Sequence, residues 1–295
     1  MGLDHDRPLT PSLSPFDRLR GARESSERSV YRQERMGEPE SAPAPCIHLH
    51  DVGVTYRTLR GPVEAVADVS VDIGEGEFFA LLGPTGCGKS TLLRVIGDLT
   101  PPTRGRVEVR GQPAHAARQR NEFGFVFQEP ALLAWRTALG NILLPLEVVG
   151  YPPPQRTVRC EELLNLVGLL AFKENYPHEL SGGMKQRVAM VRALAWGPSI
   201  LLMDEPFSAL DELTRNRLQE DLLALWAVEH KTIVFVTHNI AEAVYLADRV
   251  AVMSPRPGRI KTLLPVTLPR PRHPQMRDTL EFIEHVRAAR QALGV

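Results

Sequence analysis

The run Gly83-Pro84-Thr85-Gly86-Cys87-Gly88-Lys89-Ser90-Thr91 constrains this chain more than any other stretch. Before it stands Phe78-Phe79-Ala80-Leu81-Leu82, whose unbroken apolar character reads as a short buried strand. After it stands Leu92-Leu93-Arg94-Val95-Ile96, the opening turns of a helix expected to reach about Leu99. A glycine-rich turn between a buried strand and a helix is the setting in which G-x-x-x-x-G-K-[ST] cradles a polyphosphate. Glycines let the backbone come close and turn its N–H groups inward. The following helix adds free N–H groups and the positive end of its dipole. Lys89 brings a mobile charge for the β- and γ-phosphates, and Ser90 a hydroxyl for Mg²⁺. The loop predicts ATP or GTP and says nothing of what hydrolysis drives.

Composition narrows the rest. Charged residues make up 24% of the 295, with 35 basic against 35 acidic, so no basic stripe points to nucleic acid. The cysteines, Cys46, Cys87 and Cys160, lack metal-ligand spacing and are taken to indicate a reducing compartment. No apolar run approaches the ~18 residues needed to span a bilayer, so work at a membrane would require a partner that spans it.

Residues 1–45 are rich in Pro, Ser, Arg and Glu and are expected to be a disordered extension, with a frayed helix conceivable over 16–36. Order is expected from Ile47. A first strand carries Leu49, Val52, Val54 and Tyr56, and two further strands are read at Val63–Val66 and Val69–Ile73. Arg106–Val109 and Phe123–Phe127 are strands, the second ending at Gln128. From Leu132 to about Leu170 apolar residues recur at helical spacing, in two stretches separated by Pro152-Pro153-Pro154. Ser181 caps a further helix with an apolar face of Val188, Ala189, Val191, Ala193 and Leu194.

Ile200-Leu201-Leu202-Met203 is a buried strand that ends in Asp204-Glu205-Pro206. Two carboxylates directly after a buried strand need a cation or a hydrogen-bond network, and beside a phosphate loop that cation is Mg²⁺, held through Asp204. Ser208–Asp211 starts a helix with Leu213, Leu218, Leu222, Leu225 and Trp226 inward. The strand Thr232–Val236 leads to His238, which on its own reads as a structural cap of the helix from Ile240 to Ala247. A strand at Val250–Met253, a small hairpin of 258–260 with 266–268, and a helix over 277–291 burying Leu280, Ile283, Val286 and Ala289 complete the chain.

Taken in order, these motifs resemble the nucleotide-binding subunit of an ATP-binding-cassette (ABC) transporter, over about residues 47–260. Tyr56 matches the adenine-stacking aromatic, Gly83–Thr91 the phosphate loop, and Gln128 the Q-loop. Leu180-Ser181-Gly182-Gly183-Met184 matches the signature, Ile200–Glu205 the Mg²⁺ strand, Ser208–Asp211 the D-loop, and His238 the switch histidine. Met184 departs from the commonest signature, which has Gln there. The phrase Tyr176–Arg187 and the stretch Arg270-Pro271-Arg272-His273-Pro274 are most similar to the nitrate, sulfonate, taurine and bicarbonate importers.

The resemblance implies an α/β fold: a P-loop NTPase with a RecA-like core, an antiparallel β subdomain and an inserted α-helical signature subdomain. It implies an ATPase domain over 46–265, with the helical subdomain at about 131–190, and a C-terminal helical tail over 266–295. It implies ATP and Mg²⁺ as cofactors. Glu205 would be the general base, with His238 and Lys89 on the γ-phosphate. Ser90, Asp204 and Gln128 would serve the metal, Gln128 as its sensor. Tyr56, the loop residues Gly83 to Thr91, Ser181, Gly182, Gly183 and Asp211 would bind nucleotide, the signature acting on ATP held by a second subunit. The implied partners are a second copy, a membrane permease and, indirectly, an extracytoplasmic solute-binding protein. The implied place is the cytoplasmic face of the inner membrane, and the implied work is uptake of a small anion. Alternative readings are a cassette of another ABC transporter, importing or exporting, and a soluble cassette ATPase acting on nucleic acid or the ribosome. The single cassette and zero net charge disfavour the latter.

Overall fold

The computed structural model describes residues 45–294, apart from the side chains at 228 and 229. The expected N-terminal extension lies outside the described residues. An antiparallel sheet is built from β1 (Ile47–Thr58), β2 (Gly61–Ile73), β4 (Arg104–Val109) and the two-residue β5 (Gln112–Pro113), in the order β2-β1-β4-β5. The two strands expected at 63–66 and 69–73 are one continuous strand, β2. The irregularity between them is absorbed by shifts in its register with β1 and by Asp68 at a φ of 51°.

The second sheet has the order β10-β9-β3-β8-β7-β6. Its strands are β3 (Phe78–Leu82), β6 (Phe123–Val126), β7 (Ile200–Asp204), β8 (Thr232–Thr237), β9 (Arg249–Met253) and β10 (Ile260–Pro265), all parallel except β10. Strands buried on both faces read as apolar runs because every residue meets a core. Alternation along β3 sends Phe78, Ala80 and Leu82 to one core and Phe79 and Leu81 to the other. The second core lies toward the antiparallel sheet and takes Leu92, Leu93, Val95 and Ile96 of α1 (Lys89–Ile96).

The first core takes the remaining large helices. These are α3 (Ala138–Val148), α4 (Pro153–Leu166), α5 (Gly182–Leu194), α6 (Glu212–Glu229), α7 (Ile240–Leu246) and α8 (Leu280–Leu293); the short α2 (Ala114–Gln119) sits with β4 and β5. Pro153 and Pro154 fall in the first turn of α4, where a missing N–H costs nothing, so the three prolines start that helix as well as separating it from α3.

Three expectations are corrected. Leu213 is 83% exposed, because it lies five residues, about 140°, round α6 from the buried Leu218. The β9 partner is Ile260–Pro265, and residues 266–268 form no strand. The C-terminal helix buries Phe282 and Ala289 with Val286 and Leu293 against the core, leaving Leu280 and Ile283 exposed.

Because β3, β7 and β8 run parallel, their carboxyl ends share one edge of the sheet. The loops that start at Gly83, Glu205 and His238 therefore converge there. Such an edge is where open α/β sheets bind ligands.

Candidate active site

Residues 83–88 turn the chain from β3 into α1. Gly86 and Gly88 have φ of 77° and 105°, which side chains adopt only under strain. Gly88 also has no room: a Cβ there would sit 2.6 Å from the Ala65 carbonyl oxygen. The helix that follows has no side-chain cap and no acid in its first turn, so its leading N–H groups face an electropositive opening.

Lys89 is the first residue of that helix and only 3% exposed. Its Nζ donates to the carbonyls of Gly83 at 2.8 Å and Pro84 at 3.0 Å, and lies 3.6 Å from Glu205 Oε1. A buried ammonium needs such partners. The loop curls round it, and the arrangement puts a positive charge in the concavity where phosphate oxygens would bring negative ones.

Ser90 Oγ donates to Asp204 Oδ1 at 2.7 Å across 114 residues of sequence. Asp204 closes β7 and is 8% exposed; burial pushes its carboxyl above the ordinary range, with Ser90, Arg94 and Lys89 pulling the other way. The next residue, Glu205, takes a φ of 45°, rare outside glycine. Its N–H still donates to Val236 O at 3.0 Å, which extends the β7–β8 ladder by one rung. The two carboxylates then part: Asp204 meets Ser90, and Glu205 meets Lys89 and, through Oε2, His238 Nδ1 at 2.8 Å. Strain of this kind concentrates at working sites.

Around His238 the structure adds residues that sequence reasoning did not single out. Asn239, not His238, caps α7, its side chain accepting from Glu242 N at 3.2 Å. Glu242 Oε2 accepts from Thr237 Oγ1 at 2.7 Å. Glu242 is buried, which pushes its carboxyl up, and Arg215 Nε lies 3.5 Å from its other oxygen. These groups, with Glu205, His238 and Ser208, line a cavity of about 30 Å³, room for a water molecule. Asn239-x-x-Glu242 has helix-start spacing, but nothing local marks the glutamate as buried beside the site.

The expected nucleotide-site residues fall into two groups. Tyr56 sits at the rim of the first, partly exposed, its hydroxyl donating to Thr91 Oγ1 at 3.4 Å. The second comprises Ser181, Gly182, Gly183 and Asp211. Ser181 caps α5 by accepting from Met184 N at 3.3 Å. Asp211 caps α6 by accepting from Thr214 N at 3.0 Å, which holds its carboxyl below the usual range, and the helix starts at Glu212 rather than in 208–211. A Cβ on Gly183 would strike Thr214, so the two caps are neighbours. Ser181, Gly182 and Asp211 are exposed, and among the described residues no hydrogen bond or ion pair joins them to 83–91. Gln128 is exposed two residues beyond β6 and has no hydrogen bond to Ser90 or Asp204 among the described residues; the carbonyl of its neighbour Phe127 accepts from Gln186 Nε2 at 3.4 Å.

A family model described as ABC transporter matches residues 66–208. An uncharacterized ABC transporter ATP-binding protein of Methanocaldococcus jannaschii is 47% identical over 223 residues, covering 76% of this chain and 82% of that protein. The taurine import ATP-binding protein TauB of Jannaschia sp. is 45% identical over 200 residues, covering 68% of this chain and 74% of that protein. A solved dimeric structure of an ATP-binding cassette in a post-hydrolysis state, bound to ADP and Pi, superposes with a TM-score of 0.66 at 33% identity, covering 75% of this chain and 99% of its own. Phosphate loop, paired carboxylates and histidine at one sheet edge agree with these likenesses: the chain belongs to the ABC transporter family, as an ATP-binding and ATP-hydrolysing subunit.

Proposed function

We propose that this subunit hydrolyses ATP within a homodimer and thereby energises uptake of a small anion, of the taurine and sulfonate or nitrate class, through a separate membrane permease. The observation that carries the catalytic part is the contact of Glu205 with both Lys89 and His238. Glu205 polarises the attacking water as general base. His238, hydrogen-bonded to Glu205, reaches the γ-phosphate, and Lys89 offsets the charge that builds there. Glu205 and two loop carbonyls surround the lysine, which in this reading turns to phosphate oxygens when ATP enters. Tyr56 stacks on the base at the rim.

Ser90 and Asp204 fit Mg²⁺: two oxygen donors of the hard type that ion prefers, one of them a carboxylate whose burial calls for a cation. The ion, when bound, neutralises charge on the phosphate oxygens. Gln128, exposed two residues beyond β6, is assigned to sensing that ion once nucleotide is present.

The exposed second group supports a dimer. Ser181 and Gly182 are exposed and make no hydrogen bond to 83–91 among the described residues, so in this reading they close, with Gly183, on the ATP of another subunit, with Asp211 beside them linking the two sites. The solved cassette is likewise dimeric. Loss of the γ-phosphate removes the contacts that hold such a sandwich shut, as in other nucleotide switches. No described helix is long and apolar enough to cross a membrane. In this reading a permease supplies the spanning part and the subunit works on its cytoplasmic face. An extracytoplasmic binding protein delivers the cargo. Taurine is the cargo named for the relative in Jannaschia.

Uptake in cells lacking the gene tests this reading, with rescue by wild type or Glu205→Gln and with labelled taurine, alkanesulfonate and nitrate compared. A defect for one of these anions, rescued by wild type alone, is the expected result. Normal uptake of all three overturns the cargo class.

A further inference from the structure

The stretch Arg270-Pro271-Arg272-His273-Pro274 lies beyond the family-matched residues, and the cycle above gives it no task. In the structure it closes one end of α7. A helix leaves its last four carbonyls without intrahelical donors. In α7 the Ala243 carbonyl accepts from Ala247 N at 3.0 Å. The other three are taken by arginines. Arg272 Nη1 donates to Val244 O at 3.0 Å and Tyr245 O at 2.8 Å, and Arg270 Nη2 donates to Leu246 O at 2.8 Å.

Arg272 is 7% exposed, its Nε has no hydrogen-bond partner, and burial lowers its pKa to about 10. A guanidinium so placed is held by the negative end of the helix dipole and the carbonyls that carry it. The surrounding contacts fix the arm to two elements at once. Arg270 Nε donates to Asp248 Oδ1 at 2.8 Å while its guanidinium lies 4.1 Å from the Trp226 ring centroid. Arg277 covers the Tyr245 ring at 3.9 Å and donates to Gln219 of α6 at 2.6 Å.

The opposite end of α7 is the catalytic one. The helix has seven residues, so it spans roughly 10 Å. Two turns are too few to be stable alone, so such a helix is held by what grips its ends. At its start Asn239 caps Glu242, Glu242 accepts from Thr237, and His238 stands between Thr237 and Asn239. We propose that Arg272 and Arg270 are positioning residues for His238: by gripping the three C-terminal carbonyls of α7 they hold its N-terminal end, and the imidazole, against Glu205. The proposal rests on the role given to His238 above.

The test is a double-mutant cycle read by single-turnover ATP hydrolysis with enzyme in excess, so that slow variants remain measurable, plus amide hydrogen exchange over 240–247. Arg272→Gln is expected to lower the hydrolysis rate about 5- to 10-fold, the scale of a charge at a helix C-terminus. ATP affinity stays within about twofold of wild type, since the arm touches no part of 83–91, and exchange in α7 rises while that in β3 does not. In a His238→Ala background the same change has little further effect, as expected of residues acting through one group. Arg270→Gln, on the more exposed side, serves if Arg272→Gln does not fold, with a smaller loss of the same pattern. Hydrolysis unchanged in the arginine variants while His238→Ala is impaired overturns the clamp and leaves the histidine's role intact. Fully additive losses also overturn it. Normal hydrolysis in His238→Ala removes the histidine's role and the clamp with it.

Discussion

His238 Nδ1 lies 2.8 Å from Glu205 Oε2 although 33 residues separate them in sequence. The pair exists because β7 and β8 are parallel neighbours, with Asp204 level with Val236, so both chains leave the sheet at the same height. The left-handed backbone at Glu205 then turns its carboxylate toward the histidine. In the mechanism proposed above, this relationship ties catalysis to a strained residue and to the loop that leads into α7.

Ser181→Arg is expected to spare ATP binding by the isolated subunit and to block ATP-dependent dimerisation. The exposed cap of α5 would then carry a bulky charge into the closing interface. Light scattering with ATP in the Glu205→Gln background checks this; a dimer that survives contradicts the two-subunit site.

Asp204→Asn is expected to abolish turnover yet raise the melting temperature of the nucleotide-free protein at pH 7.5. The sign follows from burial. The folded pKa is raised above the ordinary 3.8, so the stabilising effect of the protonated carboxyl is full below that value and is lost as pH rises through the folded pKa. Asparagine does not ionise, so its advantage is larger at pH 7.5 than at pH 4. Thermal melts at the two pH values show whether it is.

Gly88→Ala is expected to cost ~2 kcal/mol or more, from a positive φ and a collision with the Ala65 carbonyl. Denaturant unfolding measures it. A change within ~0.5 kcal/mol would mean that β2 yields freely against the loop.

Tyr56→Ala is expected to weaken ATP binding about 5-fold, and Tyr56→Phe to leave it nearly unchanged, since a ring face rather than a hydroxyl meets the base. The weak 3.4 Å contact to Thr91 gives the hydroxyl little to lose. Equal losses in both variants, measured by fluorescent-nucleotide titration, would argue for the hydroxyl instead.

Much of the fold was legible because its signals are local. The apolar run 78–82 and the glycines after it mark a strand and its turn without reference to the rest of the chain. The same holds for Ser181, which caps a helix through a donor three residues away, whereas the helix expected to start in 208–211 begins at Glu212 with Asp211 as its cap. Contacts that depend on distant partners were not legible. The identity of the strand beside β9, and which stripe of α8 faces inward, are decided by the surfaces those elements meet. Ser90 and Asp204 could each be singled out, but their 2.7 Å separation comes from the sheet. Glu242 and Arg272 were missed as parts of the site's support because a buried charge carries no mark in sequence until its partners are known.

The most direct test of the account is steady-state hydrolysis and ATP affinity of Glu205→Gln, an isosteric change that removes the base and keeps a hydrogen-bonding group beside His238. Turnover is expected to fall at least ~10²-fold, the scale of a general base, with ATP affinity within about threefold of wild type. Turnover near that of wild type would contradict the assignment of Glu205 and with it the mechanism built on its contacts with Lys89 and His238.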